Sequence, residues 1–109
     1  MADVLGAFEQ AVLLAVVRLQ RDAYGRAIFT DVQSRLERDI AAGAVHATLR
    51  RLEDKGLLVS ADEPGDAIRA GRPRRYYRLS PAGRRALNDA RSAVDNLWRG
   101  LRYPLRGNA

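Results

Sequence analysis

The sequence predicts a mainly α chain carrying one small β-hairpin, and three observations support this. Apolar residues recur at steps of three and four along four separate stretches. One stretch between the third and fourth alternates with period two. The stretches are divided by glycine and proline breaks within 109 residues, the length of one domain.

The first helix is expected over residues 4–20. Leu5, Phe8, Val12, Val16 and Leu19 share one face, and Leu13, Leu14 and Val17 make the middle apolar on other faces too. A helix apolar most of the way round is buried on more than one side. In a small domain, this points to contact with its own core and with a partner chain. Tyr24-Gly25 closes the break that follows. Ile28, Val32 and Leu36 then mark a second helix over about 26–38. After a short connection at Asp39 to Gly43, Val45, Leu49 and Leu52 mark a third over about 43–55, which Lys55-Gly56 ends with a cation and then a glycine.

The period then changes. Leu57 to Ser60 is a short β-prone run. Residues 62–73 are rich in Asp, Glu, Pro, Gly and Arg and read as an exposed loop, in which Asp62, Glu63 and Asp66 are solvated rather than a cation site. From Arg75 to Ser80, Tyr77 and Leu79 fall on one face and Tyr76 and Arg78 on the other, as in a half-buried strand. Ser80-Pro81 then opens a last helix with an N-cap serine and a proline at its first position. It is expected to run to about Arg102, with Leu87, Ala90, Val94, Leu97 and Leu101 spaced 3, 4, 3, 4 as a heptad seam. The order helix, helix, helix, strand, strand, helix is that of a winged helix-turn-helix with an added C-terminal dimerisation helix. It divides the chain into residues 1–80, a helix at 81–103 and a tail at 104–109.

Composition narrows the function. Without cysteine there are no disulfides, thiolate metal sites or thiol nucleophiles, and His46, the only histidine, does not make a metal site. No catalytic set, P-loop or nucleotide-binding glycine turn is present, so neither an enzyme nor a cofactor is expected. The longest apolar run, Ala11 to Val17, is far short of a membrane span, and the first residues carry no basic leader, so the default localisation is cytoplasmic. Charge is unevenly distributed. Residues 1–68 hold eight Lys and Arg against eleven Asp and Glu, whereas residues 69–109 hold eleven Arg against two Asp. Seven of those arginines fall between Arg69 and Arg85 with no acidic residue among them, which points to a polyanion-binding hairpin.

In a helix-turn-helix, the second helix of the pair enters the major groove of double-stranded DNA. Its outward set here is Ala44, Ala47, Thr48 and Arg51, flanked by His46 and Arg50. Small residues let a helix sit deep, and alanine or a threonine methyl can meet a thymine methyl. Arg50 and Arg51 reach a phosphate or a guanine, or else form a solvated face with Glu53 and Asp54. Arg72, Arg74 and Arg75 on the wing suit the backbone or a narrow minor groove. Leu5, Phe8, Leu87, Val94, Leu97, Trp98 and Leu101 are the expected homodimer interface. Trp98 serves there either as packing or as a flat platform for an aromatic small-molecule effector. The alternative to a DNA-binding regulator is a winged-helix module that binds a partner protein.

Tyr24-Gly25, Gly43, the run Leu49-Arg50-Arg51-Leu52-Glu53-Asp54-Lys55-Gly56-Leu57 and the run Gly71-Arg72-Pro73-Arg74-Arg75-Tyr76-Tyr77-Arg78-Leu79-Ser80-Pro81-Ala82-Gly83 closely resemble the PadR family of bacterial transcriptional regulators over about residues 5–90. The resemblance implies a homodimeric repressor on a palindromic operator, often responsive to phenolic or other aromatic compounds and paired through its first and last helices. The single short C-terminal helix resembles the small subfamily, in some members of which a tryptophan of that helix lies at a dimer-interface drug site; Trp98 is the matching position. The family commonly has Ser or Thr after the glycine that opens the recognition helix and Tyr two residues later. Ala44 and His46 stand there instead, so base readout does not transfer from relatives.

Overall fold

The structure, a computed structural model, describes residues 5–63 and 73–107. Helix α1 spans Ala7–Leu19, a single 3-10 turn Gln20–Asp22, α2 Gly25–Leu36 and α3 Ala42–Asp54. Strands β1 (Leu58–Glu63) and β2 (Arg74–Leu79) follow, then α4 (Pro81–Trp98). The strands form one antiparallel hairpin, so the architecture is the expected one, mainly helical with a small wing. Arg72, with residues 64–71 of the expected hairpin loop, lies outside the described residues.

Helices α1, α2 and α3 enclose the core. Val12, Leu13, Ile28, Val32, Val45, Leu49 and Leu52 are all essentially inaccessible, joined by Leu58 from β1 and Tyr77 from β2. Several boundaries move by a few residues, for identifiable reasons. Leu5 and Gly6 precede α1, whose first turn is held by Glu9 accepting the Gly6 N–H at 3.2 Å. Helix α2 stops at Leu36 because Glu37 turns into the left-handed region, with φ of 53°. Gly43 lies inside α3 and does not precede it, and Gly56, at φ of 77°, ends the turn after that helix. Strand β1 runs on to Glu63 because the register sets Asp62 opposite Arg75 and Glu63 opposite Arg74, two opposite-charge pairs.

Helix α4 starts as expected, with the Ser80 hydroxyl accepting the Gly83 N–H at 3.0 Å. It ends at Trp98, earlier than the heptad spacing predicts, because Gly100 takes φ of 87° and the Leu101 N–H turns back to the Trp98 carbonyl. Leu101 therefore belongs to the tail. The N-terminal half of α4 packs on α1 and β2, burying Ala90. The C-terminal half stands away from the body and gives principal extents of 60 × 31 × 21 Å. Among the described residues, no helix is long and apolar enough to cross a membrane.

Candidate nucleic-acid interface

Helix α3 presents Ala44, His46, Ala47, Arg50 and Arg51 to solvent, while Val45, Leu49 and Leu52 anchor it to the core. Thr48, expected on the outward face, is only 2% exposed. The reason is helical phase: positions 45, 48, 49 and 52 form one inward stripe, and Thr48 sits in its middle. Burial requires a partner for its hydroxyl, and the Arg51 Nη2 group donates to Thr48 Oγ1 at 3.1 Å. Thr48 thus acts on the surface through Arg51, whose guanidinium it holds against the helix.

The C-terminal end of α3 is fastened on three sides. Lys55 Nζ pairs with Glu9 Oε2 of α1 at 3.0 Å. Partial burial pushes the Glu9 carboxyl up, but the Lys55 ammonium and the Gly6 N–H together outweigh it and hold the group below its ordinary value. Ser60 of β1 donates to Glu53 at 2.5 Å. From α4, the Ser80 hydroxyl donates to the Gly56 carbonyl at 2.7 Å, and the Ser80 N–H donates to the Leu57 carbonyl at 3.1 Å.

The wing is seated on the turn between α1 and α2. The Tyr77 N–H donates to the Ala23 carbonyl at 2.8 Å, and Tyr24 bridges Tyr76 in antiparallel fashion, their rings meeting edge to face at 5.7 Å. Arg74 lays its guanidinium over the Tyr24 ring, 3.9 Å from the centroid. Arg75 projects outward but is paired with Asp62 at 3.0 Å, and that hydrogen bond raises the guanidinium pKa further. Gly25, the residue after Tyr24, lies against the other component of the surface: a methyl group added there would sit 3.4 Å from His46 Cε1. The wing base thus meets Tyr24 and the start of α3 approaches Gly25, so both border the N-terminus of α2. In the sequence Tyr24 marks a helix break and a family motif but not the wing's seat, for which the available signal is the alternation that leaves Tyr76 outside the core face.

The expected pairing residues divide into two groups. Leu5 is 7% exposed and belongs to the chain's own core, because it precedes α1 and folds under it; Phe8 is half-buried against the same core. Leu5 is a correction to the expected interface, and α1 exposes Leu14 and Val17. These line a groove of about 460 Å³ with Leu79 and the half-buried Leu87, rimmed by Arg84 and Arg91. Val94, Leu97, Trp98 and Leu101 are exposed, Leu97 at 77%. Trp98 lies outside that groove, and Tyr103 of the tail meets its ring edge to face at 5.7 Å. Among the described residues, no cluster of side chains is suited to a metal ion.

Residues 13–89 match the Transcriptional regulator PadR-like family. Transcriptional regulator Rv3488 of Mycobacterium tuberculosis is 47% identical over 60 residues, covering 55% of this chain and 52% of that protein; the chain thus matches about half the length of this relative. A PadR family regulator from Eggerthella lenta superposes with a TM-score of 0.64 at 32% identity, over 82% of this chain and 75% of its own. BpsR of Bordetella bronchiseptica, whose DNA binding is regulated by 6-hydroxynicotinic acid, shares the fold with a TM-score of 0.63 at 20% identity, over 94% of this chain and 73% of its own. With the family match spanning most of the residues that build the core, α3 and the wing, this chain belongs to the PadR-like family of transcriptional regulators.

Proposed function

We propose that a homodimer of this chain binds a palindromic DNA operator as a repressor, with α3 in the major groove and the wing along the adjacent backbone or minor groove. The meeting of the wing base and the start of α3 at the α2 N-terminus carries this reading. There, an α3 face of alanines, histidine and arginines adjoins an arginine-rich hairpin base. Ala44 and Ala47 let α3 approach base edges closely and offer methyl contact to thymine, while Arg50, Arg51, Arg72 and Arg75 supply positive charge for phosphates. Pairing covers the exposed Leu14, Val17, Val94, Leu97 and Trp98 together with the half-buried Leu87.

Selection of duplexes from a random pool tests the whole reading. The expected product is a motif with two-fold symmetry. Replacing Arg72 and Arg75 by alanine is expected to weaken binding to all duplexes alike and to flatten its salt dependence by roughly 0.9 in log–log slope for each phosphate no longer neutralised. No enriched sequence, together with a stable protein partner, would instead favour a protein-binding module. The effector is proposed to be a planar aromatic compound lodged beside Trp98 between the paired subunits, as suits an exposed ring on the pairing helix. Titration of the single tryptophan's fluorescence with such compounds should give saturable quenching, and a flat titration rules out this site.

A further inference from the structure

We propose that Arg74 is a positioning residue, distinct from the phosphate-binding arginines beside it: together with Tyr24 and Tyr76 it sets the angle of the wing against the recognition helix. This rests on the DNA-binding reading above and assigns a different role to one arginine of the basic hairpin.

The Arg74 guanidinium is 3.9 Å from the centroid of the Tyr24 ring, well inside the range in which a cation is held by a ring face. Tyr24 in turn meets Tyr76 edge to face at 5.7 Å. Arg74 and Tyr76 belong to the same strand, two residues apart, so both project from the same face of β2. Tyr24 is the residue on which that face rests. It is also the N-cap of α2, in extended conformation and without a side-chain capping bond, so its ring is not needed to cap the helix. The residue after it, Gly25, packs against His46 of α3. A tilt of the wing about its base is therefore opposed by the ring and guanidinium stack, and the reference for that tilt is the helix end that α3 also touches. Charge alone does not require this arrangement: Arg75, the next residue, points to the other face and pairs with Asp62.

The backbone bonds of the wing to Ala23 and Tyr24 remain when the stack is lost, so the pose is weakened by no more than the worth of that stack. For a cation over a partly exposed ring, this is about fivefold in binding. The probe is a fluorescein-labelled duplex that the wild-type chain has enriched from a random pool, titrated by anisotropy at several salt concentrations. Tyr24→Leu is expected to weaken binding about fivefold and Arg74→Ala, which also removes the charge opposite Glu63, at least as much, with the double variant no weaker than Arg74→Ala alone, because both break the same stack. Their salt slopes should shift by the same amount, and Tyr24→Phe, which keeps the ring, should bind within about twofold of wild type. Repeating the selection with Tyr24→Leu should keep the bases read by α3 and blur those under the wing. Multiplying effects in the double variant would overturn the proposal. So would a silent Tyr24→Leu beside an Arg74→Ala whose slope alone falls by about 0.9, since that is the behaviour of a direct phosphate ligand.

Hydrogen exchange on the protein without DNA provides an independent measurement. Both variants should speed exchange of the hairpin amides and leave those of α3 unchanged, whereas wild-type hairpin rates in both would refute the stack's role. If the wild-type chain enriches no duplex, the DNA-binding reading fails, and the exchange experiment still decides whether the stack holds the wing.

Discussion

Replacing Gly83 with alanine is expected to destabilise the fold, although the position is helical and alanine is the better helix former. An alanine Cβ at this position would lie 2.1 Å from the Leu57 carbonyl oxygen and 2.8 Å from Leu79 Cδ1. Relief requires a shift of about 1 Å, as for any overpacked core site. The obstacle is backbone, and the same oxygen accepts the Ser80 N–H, so it cannot retreat without weakening that bond. Overpacking costs about 1–3 kcal/mol and a compromised buried hydrogen bond about 1 kcal/mol, against a gain of at most about 1 kcal/mol in helix propensity. The net loss is about 2 kcal/mol. For a domain of this size, it lowers Tm by about 10 °C. The assay is thermal unfolding followed by circular dichroism, at one protein concentration because the proposed pairing would make Tm concentration-dependent. Gly43→Ala is the control: a methyl group at that position meets nothing within 4 Å, so its Tm should equal or exceed wild type. A Gly83→Ala variant melting at or above wild type would refute the close seating of α4 on the end of α3.

Three further outcomes are expected. Asp62→Asn removes the carboxylate that pairs with Arg75 on the wing, so DNA affinity should rise a few-fold with little change in Tm, the pair being exposed; unchanged or weaker binding in an anisotropy titration contradicts this. Leu97→Glu places a charge on the most exposed apolar position of α4 and should shift the sedimenting species to a monomer that keeps its helical spectrum; an unshifted mass removes this seam from the interface. Glu9→Gln breaks the pair with Lys55. Because the Glu9 pKa is depressed in the folded state, its contribution is present in full above the ordinary carboxylate value of about 4.3 and is lost as pH falls through the folded value. The variant should therefore melt below wild type at neutral pH and converge with it in acid. A gap in Tm that persists in acid assigns the loss to packing and not to charge.

Residues that obey a single local period were legible in the sequence. Val45, Leu49 and Leu52 placed α3, and Ser80-Pro81 placed the start of α4, because each depends on neighbours within one or two turns. Thr48 was misplaced because its residue type suggests a surface position, while its location in the stripe, with Arg51 to satisfy the hydroxyl, buries it. Leu101 was misplaced because the heptad spacing continues across Gly100, whose left-handed conformation ends the helix first. Leu5 continues the apolar pattern of α1 but precedes the helix and turns into the core. The stack of Arg74 on Tyr24 joins residues fifty positions apart through tertiary packing alone, so no window along the chain contains it. In the site, the small residues and arginines of α3 and the wing were legible by type. Their assembly around the α2 N-terminus was not, because it depends on how the hairpin returns to the turn after α1.

The contact between Gly83 and Leu57 has a mechanical consequence. From Gly83 to Trp98, α4 is an arm about 22 Å long at 1.5 Å per residue, and its far half is exposed, with Tyr103 of the tail against Trp98. A sideways displacement of about 3 Å at the Trp98 end corresponds to a rotation of about 8° at the Gly83 end. A fulcrum with clearance would absorb that angle. This one has none, since a single methyl group does not fit, and the carbonyl it presses on belongs to the turn that terminates α3. The root of α4 is therefore set directly against the backbone turn that closes α3, three residues from that helix's end, so the angle between the two helices is fixed where they meet.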